Sequence, residues 1–231
     1  YGQKYSSESK LEERAKDLDI ETRFLQHPTS AVSDAMDELG LMGVLPNLNA
    51  VRVGQGRAFG RAMTARLDRK TSDPDAWRFG GGVGKPLEQV LQKMKSGDVV
   101  VMDLGGAMDA SAWGGLASKL AQRRGVRATI MWGACRDVEE IRQIGYPVWS
   151  VGTCPRRSRN AFTFGSIEEP LTIFEVTINP SDYILADETG VICIPRDRAL
   201  DVLSIVEQVA LQERLLEAQV RDDNVENWDE V

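Results

Sequence analysis

The stretch from Asp98 to Asp137 reads as strand, helix, strand, and that order constrains the fold more than any other feature of the chain. Asp98-Val99-Val100-Val101-Met102-Asp103 is an apolar run ending on an acid, the pattern of a strand buried on both faces. A glycine-containing loop is expected from Leu104 to Trp113. Gly115 to Arg124 predicts a helix stopped by Gly125. Arg127-Ala128-Thr129-Ile130-Met131-Trp132 predicts a second strand, followed by Gly133-Ala134-Cys135-Arg136-Asp137. Strands joined through a helix lie parallel, usually as neighbours, by a right-handed crossover. In such sheets ligands gather in the loops beyond the carboxyl ends of the strands. Asp103, Gly105, Gly106, Arg136 and Asp137 fall in those loops on this reading.

The flanking segments extend the same α/β pattern. Ser7 to Leu18 has weak helical spacing, and the polar opening from Tyr1 to Lys10 is expected to be mobile. Thr29 to Gly40 predicts a helix, with Thr29 or Ser30 as cap and Gly40 as stop. Gly60 to Leu67 alternates as a strand should. Lys70 to Lys85 is rich in Gly, Asp and Pro and reads as a loop, followed by a short helix from Leu87 to Met94. Further strands are expected at Val148–Val151, Thr172–Val176, Tyr183–Asp187 and Val191–Ile194, with Glu188-Thr189-Gly190 as a hairpin turn. Arg198 to Gln219 predicts a long amphipathic helix, and the acidic tail from Arg221 is expected to fray. The division that follows is an N-terminal extension and helix over residues 1–28, one domain over 29–220 and a tail over 221–231.

Composition excludes several classes. A net charge of −7 argues against nucleic-acid binding, which needs a basic stripe to neutralise phosphates. Cys135, Cys154 and Cys193 form no Cys-x-x-Cys pair, so no zinc ribbon exists and three reduced thiols are expected. The single histidine, His27, precludes a site with two histidine ligands from one chain; it reads as a surface or capping residue before Pro28. No apolar run reaches membrane-spanning length. No signal-peptide pattern opens the chain, and Tyr1 in place of Met points to a missing or processed start, so a cytoplasmic location is the expectation. The segment Phe79-Gly80-Gly81-Gly82-Val83-Gly84-Lys85-Pro86 imitates a nucleotide loop but fails. A phosphate-cradling loop needs glycine at position 79 and Ser or Thr at position 86. The Gly80–Lys85 stretch reads instead as a flexible loop, with the covering of a substrate as its other use.

Four stretches, in order, carry a resemblance. They are Ser33-Asp34-Ala35-Met36-Asp37-Glu38-Leu39-Gly40; Gly60-Arg61-Ala62-Met63-Thr64; the run from Gly97 through Trp113-Gly114-Gly115-Leu116-Ala117 and Gly133-Ala134-Cys135-Arg136-Asp137 to Gly145-Tyr146-Pro147; and Asp182 to Val191. Together the chain resembles the RraA-like family, the group that includes the 4-hydroxy-4-methyl-2-oxoglutarate aldolases and the regulator of ribonuclease activity A. The resemblance implies an α/β fold, a single-domain β/β/α sandwich of mixed sheets flanked by helices. It also implies a homotrimer or hexamer with the active site between subunits. Magnesium or manganese would hold a small 2-oxo acid there, and a pyruvate enolate would form.

Carried to this chain, the resemblance makes Asp137 the metal ligand and Arg136 the group that binds the 2-oxo acid and stabilises the enolate. The backbone N–H groups of Leu116 and Ala117, at a helix start, would hold the carboxylate. Glu213, from the C-terminal helix of a neighbouring subunit, would approach the metal. The plainer account of Arg136-Asp137 is a surface ion pair with Asp137 capping the next helix, and of Glu213 a solvated helix face. One departure stands out. The metal-dependent family aldolases carry an acid, twenty residues, then Arg-Asp; here Gly115 occupies the acid's place. Asp103 and Asp109 are the nearby acids that would compensate.

The function expected is a metal-dependent carbon–carbon lyase of aldolase or decarboxylase type. The alternatives are a family enzyme of altered reaction, a dehydratase or hydrolase, and a non-catalytic protein-binding regulator.

Overall fold

The computed structural model describes residues 2–70, 84–158 and 161–221. Helix α1 (Gly2–Phe24) and helix α2 (Thr29–Glu38) lead into short strands β1 (Val44–Leu45) and β2 (Asn49–Ala50) and the long strand β3 (Ala58–Arg69). Then come α3 (Gly84–Lys93), β4 (Asp98–Trp113), α4 (Gly115–Arg123), β5 (Ala128–Cys135), α5 (Val138–Ile144) and β6 (Val148–Thr153). Strands β7 (Phe162–Ile167), β8 (Leu171–Ile173), β9 (Val176–Ile178), β10 (Tyr183–Ala186) and β11 (Val191–Ile194) follow, and α6 (Ala199–Arg221) ends the fold.

One nine-stranded sheet runs β1-β11-β10-β3-β4-β5-β6-β2, with β7 also paired to β3. Strands β3, β4, β5 and β6 are mutually parallel, as helical crossovers require, and the outer strands are antiparallel. Alternation along the strands sorts the core into two faces. Val99, Val101, Ala128 and Ile130 face the β8–β9 hairpin through Leu171, Ile173, Val176 and Ile178. Val100, Met102 and Met131 face the helical side, where Val90, Ala117, Ala121 and Ile141 cover them. At the β10–β11 end the helical cover comes from α1, α2 and α6, through Ile20, Phe24, Met36 and Val202 against Leu185 and Ile192. There Phe24, Phe59 and Tyr183 stack at 5.1 Å centroid spacings. The molecule is therefore a hairpin layer, a mixed sheet and a helical layer, a single α/β domain.

Several expectations change. Leu104–Trp113 is not a loop: β4 continues to Trp113, so Asp103, Gly105 and Gly106 lie within a strand. Gly105 and Gly106, at φ 63° and 71°, take a left-handed bend that glycine tolerates. The register with β5 shifts there, and Ser111 and Trp113 resume pairing with Ala134 and Cys135. The expected strand over Thr172–Val176 is two strands, turned at Phe174 with φ 53°. Helix α2 is not capped by Thr29 or Ser30; Pro28 is the cap residue, and Asp187 accepts the Thr29 N–H at 2.8 Å and its hydroxyl at 2.7 Å. His27 is buried rather than at the surface, and burial lowers its pKa. Strands β1, β2 and β7 were not anticipated. The opening residues expected to be mobile are helical from Gly2. The expected loop lies largely outside the described residues, although Gly84 and Lys85 open α3. The tail beyond Arg221 also lies outside them. Among the described residues, no helix is long and apolar enough to cross a membrane.

Candidate active site

The carboxyl ends of β4 and β5 meet at the amino end of α4. The Arg136 N–H donates to the Trp113 carbonyl at 2.9 Å, which ties the two strand ends together. Gly114 caps α4 in extended backbone. The Trp113 indole N–H donates to the Ser118 hydroxyl at 3.0 Å, and that hydroxyl donates to the Gly114 carbonyl at 3.0 Å. This holds the first turn of the helix rigid. Helical geometry leaves the first N–H groups without carbonyl partners. The Gly115 N–H donates to Asp137 Oδ2 at 3.2 Å. Those of Leu116 and Ala117 have no acceptor among the described residues.

Asp137 sits at φ 54°, ψ 39°, the left-handed region that Asp tolerates better than most residues. It occupies the cap position of α5 yet makes no side-chain cap bond there. Its carboxylate turns instead to Gly115 and to Arg136, whose Nε lies 3.3 Å from Oδ2. The surface ion pair expected of these two residues is thus present, but the capping role is not. Both side chains stay partly open to solvent and face a cleft of about 190 Å³. Leu87 and Leu91 of α3, the α4 start and Arg157 with Ser158 complete its walls.

Arg157 was missed from sequence. It enters because Ser111 bridges to it across the chain and donates N–H and hydroxyl to the Arg156 carbonyl at 2.8 and 2.9 Å. Arg156 lies 3.5 Å from Asp109, which also pairs with Arg69; Arg157 has no ion-pair partner among the described residues. No signal along the chain separates these two adjacent arginines; only the fold does. The cleft therefore offers two guanidinium groups and two open N–H donors, a set suited to an anionic ligand.

Other expected residues are elsewhere. Asp109 is held below the usual carboxylate range by its bond to Arg69 and does not line the cleft. Asp103 accepts the Gly105 N–H at 2.7 Å, and burial raises its pKa. Glu213 is exposed on α6 and does not line the Arg136–Asp137 cleft of its own chain. A larger groove of about 520 Å³ lies between α2, β1 and the β8–β9 turn. Its charged side chains, Asp37 and Glu175, are both acidic, so it does not suit a carboxylate ligand.

Among the described residues no three His, Cys, Asp or Glu side chains gather as a metal cluster. That donor set still fits magnesium or manganese, because a hard cation of this kind keeps several waters and needs only one or two carboxylates. Asp137 supplies a hard oxygen at the open cleft.

Comparison with known proteins agrees with this architecture. The family model RraA-like, described as Aldolase/RraA, matches residues 29–193. The chain is 30% identical over 192 residues to protein DlpA of Legionella pneumophila, covering 83% of this chain and 30% of that protein. It thus spans about a third of that relative's length. It is 29% identical over 109 residues to the 4-hydroxy-4-methyl-2-oxoglutarate aldolase of Thermus thermophilus, covering 47% of this chain and 66% of that one. The structure of RraAS2 from Streptomyces coelicolor, described as an unusual member of the RNase ES inhibitor RraA protein family, superimposes with a TM-score of 0.73 at 22% identity, covering 88% of this chain and 96% of that one. The chain belongs to the RraA-like family.

Proposed function

We propose that this protein is a divalent-metal-dependent carbon–carbon lyase, of aldolase or decarboxylase type, acting on a small 2-oxo acid. The observation that carries the reading is the convergence of Arg136, Asp137 and the open N–H groups of Leu116 and Ala117 on one cleft. Asp137 would hold magnesium or manganese, which when bound polarises the 2-oxo group. The Leu116 and Ala117 N–H groups receive the substrate carboxylate at the positive end of α4. Cleavage of the carbon–carbon bond sends its electron pair toward the 2-oxo group; the departing carbon leaves as CO2, or as a carbonyl once its hydroxyl proton passes to solvent, and the pyruvate enolate that results takes up a proton to give pyruvate. Arg136 places a fixed positive charge beside the oxygen on which that charge grows, so it acts most strongly in the transition state. Leu87, Leu91 and Leu116 give the cleft an apolar side that displaces water from the reacting carbon.

The reading extends to a homotrimer or hexamer in which Glu213 of one chain approaches the cleft of the next. Leu211 and Leu215, one turn apart on α6, are 58% and 60% exposed, an apolar stripe suited to a neighbouring copy. The direct test is pyruvate release from oxaloacetate and from 4-hydroxy-2-oxo acids, with magnesium or manganese and again with chelator. Turnover above the metal-only blank, abolished by the chelator, is expected. Failure on both substrate classes would remove the lyase reading in favour of an altered reaction or a regulatory role.

A further inference from the structure

The groove of about 520 Å³ between α2, β1 and the β8–β9 turn shares no lining residue with the Arg136–Asp137 cleft. Its floor belongs to the core, where Met36, Val176 and Ile192 are buried. Its rim does not. Met42, Val44 and Phe174 are 64%, 52% and 49% exposed, whereas large apolar side chains at a protein surface are ordinarily scattered singly. The fold fixes both walls. A Cβ built on Gly43 collides with the Cys193 carbonyl oxygen, so glycine lets the chain between Met42 and Val44 lie directly on β11. The Gly43 carbonyl there accepts the Cys193 N–H at 2.8 Å. On the opposite wall the Phe174 ring meets Trp132 edge to face at a centroid distance of 4.5 Å. The groove is thus preformed, not a gap between loose side chains.

Its size and lining fit a small molecule. Ligand pockets of about 300–1,000 Å³ are mostly apolar, with a few polar groups that fix orientation. The charged groups here are Asp37 and Glu175, and no Lys or Arg lines the groove. Neither carboxylate has a hydrogen-bond or ion-pair partner among the described residues. Helix α2 ends beside the groove without a basic residue in its last turn, so the negative end of its dipole adds to the same field. The edge strand β1 is two residues long, too short to hold an added strand by ladder bonds. A second copy of this chain carries a net charge of −7, the same sign as the rim. We infer that the groove binds an amphiphilic cation, with its aromatic or alkyl body on Met36, Val44 and Ile192 and its ammonium group beside the carboxylates of Asp37 and Glu175. Met36 and Met42 are unbranched and adapt to the shape of that body. The charge preference is opposite to that of the cleft, so the two sites select different ligands.

The test uses the full chain with isotope-labelled methionine methyl groups, followed by NMR at pH 7. Three probes of one shape are titrated: phenylbutylamine, phenylbutanol and phenylbutyrate. The amine should shift the Met36 and Met42 methyl signals with a Kd of about 1 mM, the affinity expected of so small a ligand, and leave those of Met63 and Met108 in place. Phenylbutanol should bind about threefold more weakly, the effect of losing exposed charge contacts, and phenylbutyrate at least about tenfold more weakly. Asp37→Asn combined with Glu175→Gln should bring the amine down to the affinity of the alcohol and leave the alcohol unchanged. Val44→Arg, at an exposed position, should abolish the shifts caused by the amine without lowering the melting temperature. Equal affinity for the amine and phenylbutyrate would overturn the inference. So would a preference for the amine that survives the double substitution, because the net charge of the chain would then be its source. Unmoved Met36 and Met42 signals with all three probes would also overturn it. Light scattering decides about a second copy: a smaller assembly in Val44→Arg than in the parent would make the groove a contact between copies and remove the ligand site.

Discussion

Removal of the Arg136 side chain separates catalysis from folding. In the folded chain Arg136 makes one side-chain ion pair, to Asp137 at 3.3 Å, and both partners are more than a third exposed. Such a pair contributes about 0.2–1 kcal/mol. Its backbone N–H, which ties β5 to β4 through Trp113, is untouched by substitution. Arg136→Ala should therefore lower the melting temperature by no more than about 4 °C in a domain of this size. Its effect on turnover should be far larger. Losing one preorganised donor from a developing oxyanion costs about 3–4 kcal/mol, or roughly two to three orders of magnitude in kcat. Arg136→Lys should recover little, because a point charge does not replace a planar two-pronged contact. The assay couples pyruvate release from oxaloacetate to NADH oxidation at saturating magnesium, with a blank at the same metal concentration. A fall in kcat and kcat/KM together is the expected signature of a contact made in the transition state. A raised KM with unchanged kcat would refute the reasoning, because Arg136 would then bind substrate and transition state equally.

Three further outcomes follow from the same geometry. Asp137→Asn, which keeps a side chain that tolerates the left-handed backbone, should lose at least about tenfold in Mn2+ affinity with little change in melting temperature, whereas Asp137→Ala should add about 1–2 kcal/mol of backbone strain; unchanged calorimetric affinity in both would reject Asp137 as ligand. Burial pushes the Asp187 pKa up, but the Thr29, Thr189 and Gly190 donors outweigh it and hold the carboxyl below its ordinary 3.8. Its contribution is thus present above about that pH and is lost as pH falls through the lower folded value; Asp187→Ala should cost about 3 kcal/mol at pH 7, and urea unfolding at pH 3 should find a smaller gap. Light scattering at micromolar concentration should give a trimer or hexamer, and a monomer would sink the placement of Glu213 at a neighbour's cleft.

Patterns confined to one element could be read along the chain. Alternation of Val99 and Val101 against Val100 and Met102 announced a strand buried on both faces, and the fold sorts those pairs onto the hairpin and helix sides. Gly40 and Gly125 ended their helices because the positive φ values found there, 65° and 74°, suit glycine. Arg136 and Asp137 were legible as a pair because they are adjacent and follow a strand. What escaped were relations between distant segments. Glu140 sits against Gly115, and Arg157 beside Ser111, only because crossovers bring β4, β5 and β6 side by side. Thr29 finds its cap in Asp187, 158 residues away, so no local rule for helix starts would supply it. Gly105 and Gly106 misled for a physical reason: glycine marks a loop when it ends a strand and a bend when the strand goes on, and neighbours in the sheet decide which. Gly115 is the sharpest case. Along the chain it is a missing acid, a loss. In the fold it is the place where the Glu140 side chain of α5 lies against α4, a contact between two elements that the sequence pattern at Gly115 does not announce.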